Sequence, residues 1–240
     1  MLGPQQNSPA STHSNVPGQV SPKTWWICGL LFLATVLNYV DRQVLALTAE
    51  KVIAEFGLTK EAFGEVISAF RYSYGAVQIA GGWLVDKHGP RVVYPLAVGL
   101  WSLAGILTAT ANSMRMLSGF RFLLGVGEAF NWPSALKVTH RLLPPRDRPL
   151  ANGIFNSGAA AGSMLAPVIV TATSVFLGWR AAFVVTGSLG SLWIVGWLWY
   201  TRKLSSLLAG SMVSMRDIFR VMVRIVSSKF LDVGLCRSLG

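Results

Sequence analysis

Asn38-Tyr39-Val40-Asp41-Arg42 lies deep in an apolar run that extends from Trp25 to Leu47. A carboxylate and a guanidinium at that depth in hydrocarbon each cost about 2.5–3.5 kcal/mol if left unpaired, so such residues face a bundle interior or a water-filled cavity. A second set follows in another apolar run, where Arg121 and Glu128 are spaced to share one helical face two turns apart. One buried ion pair is explained by helix–helix cohesion alone. Two acids and two cations on two spans point to a functional polar centre.

Working outward, the composition is that of a membrane protein. The 240 residues are 52% hydrophobic and only 13% charged, with a mean hydropathy of +0.49. Cys28 and Cys236 offer neither a disulfide framework nor metal-ligand spacing, and His13, His88 and His140 are scattered. No phosphate loop, zinc motif or nucleophile elbow is present, so neither an enzyme nor a cofactor is expected.

Residues 1–24, rich in Pro, Ser, Gln and Asn, read as a disordered tail without the basic start of a signal peptide. Six spans are expected at about 25–48, 62–85, 91–112, 114–138, 150–177 and 180–200. The first connection, Ala49 to Glu61, is amphipathic. Two others, around Asn112-Ser113 and Gly178-Trp179, are short enough to force their helices antiparallel. Most lysines and arginines, including Lys87, Arg91, Lys137, Arg141, Arg146, Arg148 and the basic run after Tyr200, fall on one side. The positive-inside rule then puts both termini in the cytoplasm. The net charge of +11 is thus a topology signal facing anionic headgroups, not a nucleic-acid site. Trp25, Trp26, Trp83, Trp179 and Trp199 lie near span ends, as an interfacial belt requires. Residues 201–240 form a basic cytoplasmic segment in which Arg216, Arg220 and Arg224 share a face suited to lipid headgroups.

Gly82-Trp83-Leu84-Val85-Asp86-Lys87-His88-Gly89-Pro90-Arg91 joins the second and third spans. Its glycines permit a tight turn and close helix approach, and Asp86 is placed to cap a helix end or pair with a cation. The stretch resembles the loop signature of the major facilitator superfamily, Gly-x-Leu-x-Asp-Arg-x-Gly-x-Arg, with Lys87 in place of arginine. Gly82, Asp86, Lys87, Gly89 and Arg91 are the matching positions, which in that family act as a conformational loop motif. Three further stretches narrow the resemblance to the anion:cation symporter family, whose bacterial members include hexuronate and galactonate transporters. They are Asn38-Tyr39-x-Asp41-Arg42, Arg121 with Gly127-Glu128-Ala129-Phe130-Asn131-Trp132-Pro133-Ser134-Ala135, and Ala151-Asn152-Gly153-Ile154-Phe155-Asn156-Ser157-Gly158 with Gly178-Trp179-Arg180-Ala181-Ala182-Phe183. Together they cover roughly residues 25–200.

The resemblance implies an all-α integral membrane bundle of six transmembrane helices, one half of a major facilitator fold built from 3+3 inverted repeats. It implies proton-coupled uptake of a small organic anion such as a sugar acid, in a bacterial inner membrane. Arg42 would grip a carboxylate through its planar fork, with Tyr39, Tyr74 and Asn156 as further substrate contacts. Asp41 and Glu128 would carry protons, since removal from water favours the neutral acid, and Arg121 would oppose this at Glu128 when close. The chain matches only the first half of the family pattern. A truncated half is expected, completed by a missing C-terminal half or a second copy.

Other departures are Ala159, where some members carry a polar substrate contact, and Arg71, read as a side chain snorkelling outward. Gly158 and Gly162 are spaced for close helix packing. Three rival readings stand beside uptake of an anion: a membrane remnant without activity, an intramembrane hydrolase using Asp41 and Glu128, and drug or cation efflux. Two arginines at the centre argue against the last two.

Overall fold

The computed structural model describes residues 22–202 and 208. Eight helices follow in order: α1 Pro22–Leu47, α2 Ala49–Phe56, α3 Lys60–His88, α4 Pro90–Thr108, α5 Met114–Glu128, α6 Asn131–Leu142, α7 Arg148–Phe176 and α8 Trp179–Thr201. Among the described residues there is no strand. Helix α1 begins at Pro22, just inside the stretch assigned to the tail. The rest of that tail, and nearly all of the basic segment with Arg216, Arg220 and Arg224, lie outside the described residues.

Local chemistry sets the ends. The Thr59 hydroxyl accepts from Ala62 N to start α3, and Ser113 accepts from Met116 N to start α5. Gly57, Gly89 and Gly178 turn the chain at φ 60, 81 and 87°, a region costly for any side chain. The α3–α4 turn needs little more than Gly89 followed by Pro90 at the start of α4.

Helices α1, α4, α7 and α8 are long and apolar enough to cross a membrane. Helix α3 has the length, 29 residues, but carries Glu61, Glu65, Arg71, Asp86 and Lys87 within it. The expected fourth span is divided into α5 and α6 at Ala129-Phe130. Pro133 contributes to the division: it has no N–H for the carbonyl four residues back, and its ring crowds that carbonyl.

Small residues bring the helices together. A Cβ on Gly158 or Gly162 would sit 2.6 Å from the carbonyl oxygens of Phe32 and Val36, so α7 lies backbone-close on α1. This bears out the packing expected from their spacing. Gly125 meets α3 at Ser73 and Phe70, Gly127 meets α4 at Trp101, and Gly190 meets α4 at Ser102. Around these crossings Tyr94, Trp101, Phe130, Phe155 and Trp197 are fully enclosed. Ile79, Met164, Val168 and Phe176 are largely exposed, as suits faces turned to lipid or to another bundle.

Helix α2 is pinned across the end opposite the basic loops. Lys51 Nζ donates to Ser174 O and Oγ at 2.9 and 2.8 Å. Glu55 pairs with Arg180, whose guanidinium also donates to the carbonyls of Ala109 and Ala111. Trp179 Nε1 donates to Glu55 Oε2 at 2.6 Å. Trp179, expected near a span end, is buried beneath α2 with its indole N–H bonded to Glu55. Trp26, Trp83 and Trp199 are exposed.

Candidate functional site

Arg42 reaches across from α1 to the last residue of α5. Its Nε and Nη2 donate to the same oxygen, Glu128 Oε2, at 3.0 and 2.9 Å, and Nη2 also approaches Asn38 Oδ1 at 3.4 Å. The guanidinium carbon lies 5.1, 5.1 and 4.8 Å from the ring centres of Tyr39, Phe70 and Tyr74. Three rings of α1 and α3 thus form a cage that holds the cation's plane by its face. Glu128 is wholly buried, whereas the Arg42 side chain is 29% exposed, so its pocket opens on one side. Glu128 Oε1 has no hydrogen-bond partner among the described residues.

Asp41 and Arg121, both buried, stand beside this pair. Asp41 has Thr186 of α8, Glu128 and Arg121 as its electrostatic neighbours. Neither of its oxygens, nor Arg121 Nε, has a hydrogen-bond partner among the described residues. The Arg121 guanidinium lies 5.3 Å from the Phe183 ring. Sequence spacing made Arg121 the partner of Glu128. The structure gives that ion pair to Arg42 instead, whose long side chain reaches from α1 to the Glu128 carboxylate at the end of α5.

The remaining predicted residues divide. Tyr39 and Tyr74 join the cluster; Asn156 is exposed on α7 and is not drawn into it, and Arg71 is exposed on α3. At the loop, Asp86 does not cap a helix, since α3 continues through it to His88. It forms an ion pair with Lys137 of α6 at 2.5 Å. Lys87 Nζ lies 4.9 Å from the Trp83 ring, and the Arg91 carbonyl accepts from Trp197 Nε1 at 3.2 Å. Among the described residues Gly82 takes no part in close packing, as a Cβ there would meet nothing within 4 Å. Phe70, Asn38 and Thr186 are the neighbours that sequence reasoning missed or left without a role. The i−4 spacing of Phe70 to Tyr74 was the available signal for the first. Among the described residues no group of three or more His, Cys, Asp or Glu could hold a metal.

Among the described residues, an all-helical bundle with a charge-paired centre, small-residue crossings and apolar outer faces has the build of an integral membrane protein. The chain belongs to the Major Facilitator Superfamily, whose family model matches residues 31–231. It is 37% identical over 70% of its length to a probable sulfoacetate transporter of Cupriavidus necator, covering 39% of that protein. It is 35% identical over 70% to a D-galactonate transporter of Escherichia coli O6:H1, covering 39%. To the hexuronate transporter of Escherichia coli K12 it is 31% identical over 72%, covering 40%. The chain thus spans about two fifths of the length of these relatives. Among solved structures, a POT family transporter in complex with 5-aminolevulinic acid matches 89% of this chain and 47% of its own, with a TM-score of 0.72 at 18% identity. That likeness shows the fold alone. The relatives are named as transporters, and the hydrolase reading of Asp41 and Glu128 lapses with them.

Proposed function

We propose that this chain forms one six-helix half of a proton-coupled transporter that takes up a small organic anion of the sugar-acid class. The observation that carries the reading is the Arg42–Glu128 pair: a guanidinium in an aromatic cage, open on one side, already holding a carboxylate. Glu128 occupies the place that a substrate carboxylate would take. A proton delivered to Glu128 neutralises it and frees the Arg42 fork, and the substrate's carboxylate then accepts the same two hydrogen bonds. The site's net charge is the same before and after, because one proton and one anion enter together. Each therefore strengthens the binding of the other, as linkage requires.

Asp41, beside Arg121 and Thr186, serves as a second proton carrier. Tyr39 and Tyr74 offer hydroxyls to the sugar, and Asn156 on α7 contributes from the far side of the cavity. A second six-helix half, or a second copy of this chain, supplies the opposite wall. Gly82, Asp86, Lys87, Gly89 and Arg91 act at the cytoplasmic end, where the Asp86–Lys137 pair ties α3 to α6 in the conformation described. The basic loops orient both termini to the cytoplasm of a bacterial inner membrane. The names of the relatives, with sulfoacetate, galactonate and hexuronate among them, support a carboxylate or sulfonate cargo. A polyol carboxylate suits the two tyrosines better than a bare sulfonate.

The test is uptake of labelled D-galactonate by the complete transporter in proteoliposomes under an inward proton gradient. Accumulation that collapses with a protonophore, and that neutral galactose fails to inhibit, is expected. Uptake indifferent to the gradient, or equally inhibited by galactose, contradicts the reading.

A further inference from the structure

A neutral polar chain lies inside the bundle, separate from the charged centre. Tyr94 of α4 donates its hydroxyl to Asn131 Oδ1 at 2.6 Å. Asn131 Nδ2, at the first residue of α6, donates to Thr35 Oγ1 of α1 at 3.4 Å. The Thr35 hydroxyl passes the chain to Leu31 O at 3.1 Å. All three side chains are buried, and the Tyr94 ring is fixed 4.9 and 5.2 Å from Trp193 and Trp197 of α8. Two of the three bonds run between helices, and polar contacts of that kind average well under 1 kcal/mol apiece, so cohesion alone is a thin reason for them.

Their position supplies a better one. Thr35 and Arg42 are seven residues apart on α1, two turns along one face. Glu128 and Asn131 bracket the break at Ala129-Phe130. Helix α1 is therefore bonded to the broken helix on both sides of the break: Arg42 to Glu128 before it, Thr35 to Asn131 after it. The first bond depends on the charge of Glu128. The second involves no group that titrates in the physiological range, and it persists when Glu128 is neutral.

We propose that Asn131, held between Tyr94 and Thr35, is a positioning residue for proton and anion exchange at Arg42. It fixes the angle of the break and keeps Glu128 within reach of the guanidinium after the ion pair opens. The proposal rests on the exchange reading given under Proposed function. Without this pin the Glu128 carboxylate meets Arg42 less well, is stabilised less as an anion, and takes up its proton at a higher pH.

Tyr94→Phe and Thr35→Val each remove one bond to Asn131 at nearly constant volume, and Thr35→Ser keeps the hydroxyl. In the complete transporter, the pH midpoint of sugar-acid counterflow is measured beside the melting temperature. The expected result is an alkaline shift of about half a pH unit, the equivalent of one modest hydrogen bond, in Tyr94→Phe and Thr35→Val. Thr35→Ser should restore the wild-type midpoint, and the shift should vanish in a Glu128→Gln background. A lowered melting temperature with an unmoved midpoint overturns the proposal, leaving the chain as helix cohesion only. If Glu128→Gln flattens the pH profile while Tyr94→Phe leaves it unmoved, only the positioning role falls. If Glu128→Gln leaves the profile intact, the exchange reading falls and this proposal with it. Should Thr35→Val fail to fold, Tyr94→Phe carries the test alone.

Discussion

Replacing Arg42 with Lys keeps the charge and should nevertheless weaken anion binding about 10- to 100-fold. The guanidinium uses two donors, Nε and Nη2, on one carboxylate oxygen at 3.0 and 2.9 Å, and a third contact reaches Asn38. An ammonium is a point charge without that fork, so at least one charge-assisted bond is lost, worth about 1.5–3 kcal/mol. At about 1.4 kcal/mol per tenfold, this corresponds to the loss stated. The cage of Tyr39, Phe70 and Tyr74 does not compensate, since an ammonium gains from the rings much as a guanidinium does. The assay is equilibrium binding of labelled D-galactonate to the purified complete transporter. Acid pH is the right condition, because Glu128 is then neutral and no longer competes for the cation. Wild-type affinity in Arg42→Lys would refute the assignment of Arg42 as the anion's anchor.

Four other outcomes are expected. Glu128→Gln mimics the protonated acid and should abolish proton-driven accumulation while sparing counterflow; persistent accumulation would transfer the proton to Asp41. Gly162→Leu should destabilise the bundle by about 1–3 kcal/mol or more, read as a lower melting temperature in detergent, since a Cβ there already meets Val36 O at 2.6 Å. Arg180 and then the Trp179 indole N–H hold the Glu55 carboxyl below the usual carboxylate range. A depressed value means that the clamp's contribution is present above the ordinary glutamate value and is lost as pH falls through the folded one. The melting temperature should therefore drop at acid pH in the wild type and less so in Glu55→Gln. Finally, the 240-residue chain reconstituted by itself should insert yet give no sugar-acid uptake; robust uptake would establish a half-transporter working as a homodimer.

The helices were legible in the sequence wherever length and apolarity suffice, as in Trp25–Leu47 or Pro90–Thr108. The division of the fourth span was not anticipated, although Pro133 signalled it. Pro95 and Pro167 sit inside α4 and α7 without ending them, so the proline alone does not decide the outcome. The charged centre was readable as a set of residues but not as a set of pairs. Periodicity relates Arg121 to Glu128 because they share a helix, and it says nothing about Arg42, 86 residues away along the chain. Cross-helix pairing is decided by how the bundle sets α1 opposite the end of α5, close enough for the Arg42 side chain to reach Glu128. That placement depends on separate close approaches, Gly125 on α3, Gly127 on α4, and Gly158 and Gly162 on α1, a tertiary property no single spacing carries. Asp86 shows the same limit, since its partner Lys137 lies on another helix.

The central claim is that a proton and an anion enter together because both act on the Arg42–Glu128 pair. The most direct measurement is proton entry itself, followed with a pH-sensitive dye trapped in proteoliposomes of the complete transporter when D-galactonate is added outside at symmetrical pH. The account predicts internal acidification that requires the sugar acid and disappears in Glu128→Gln. Sugar-acid uptake with no accompanying acidification would contradict it.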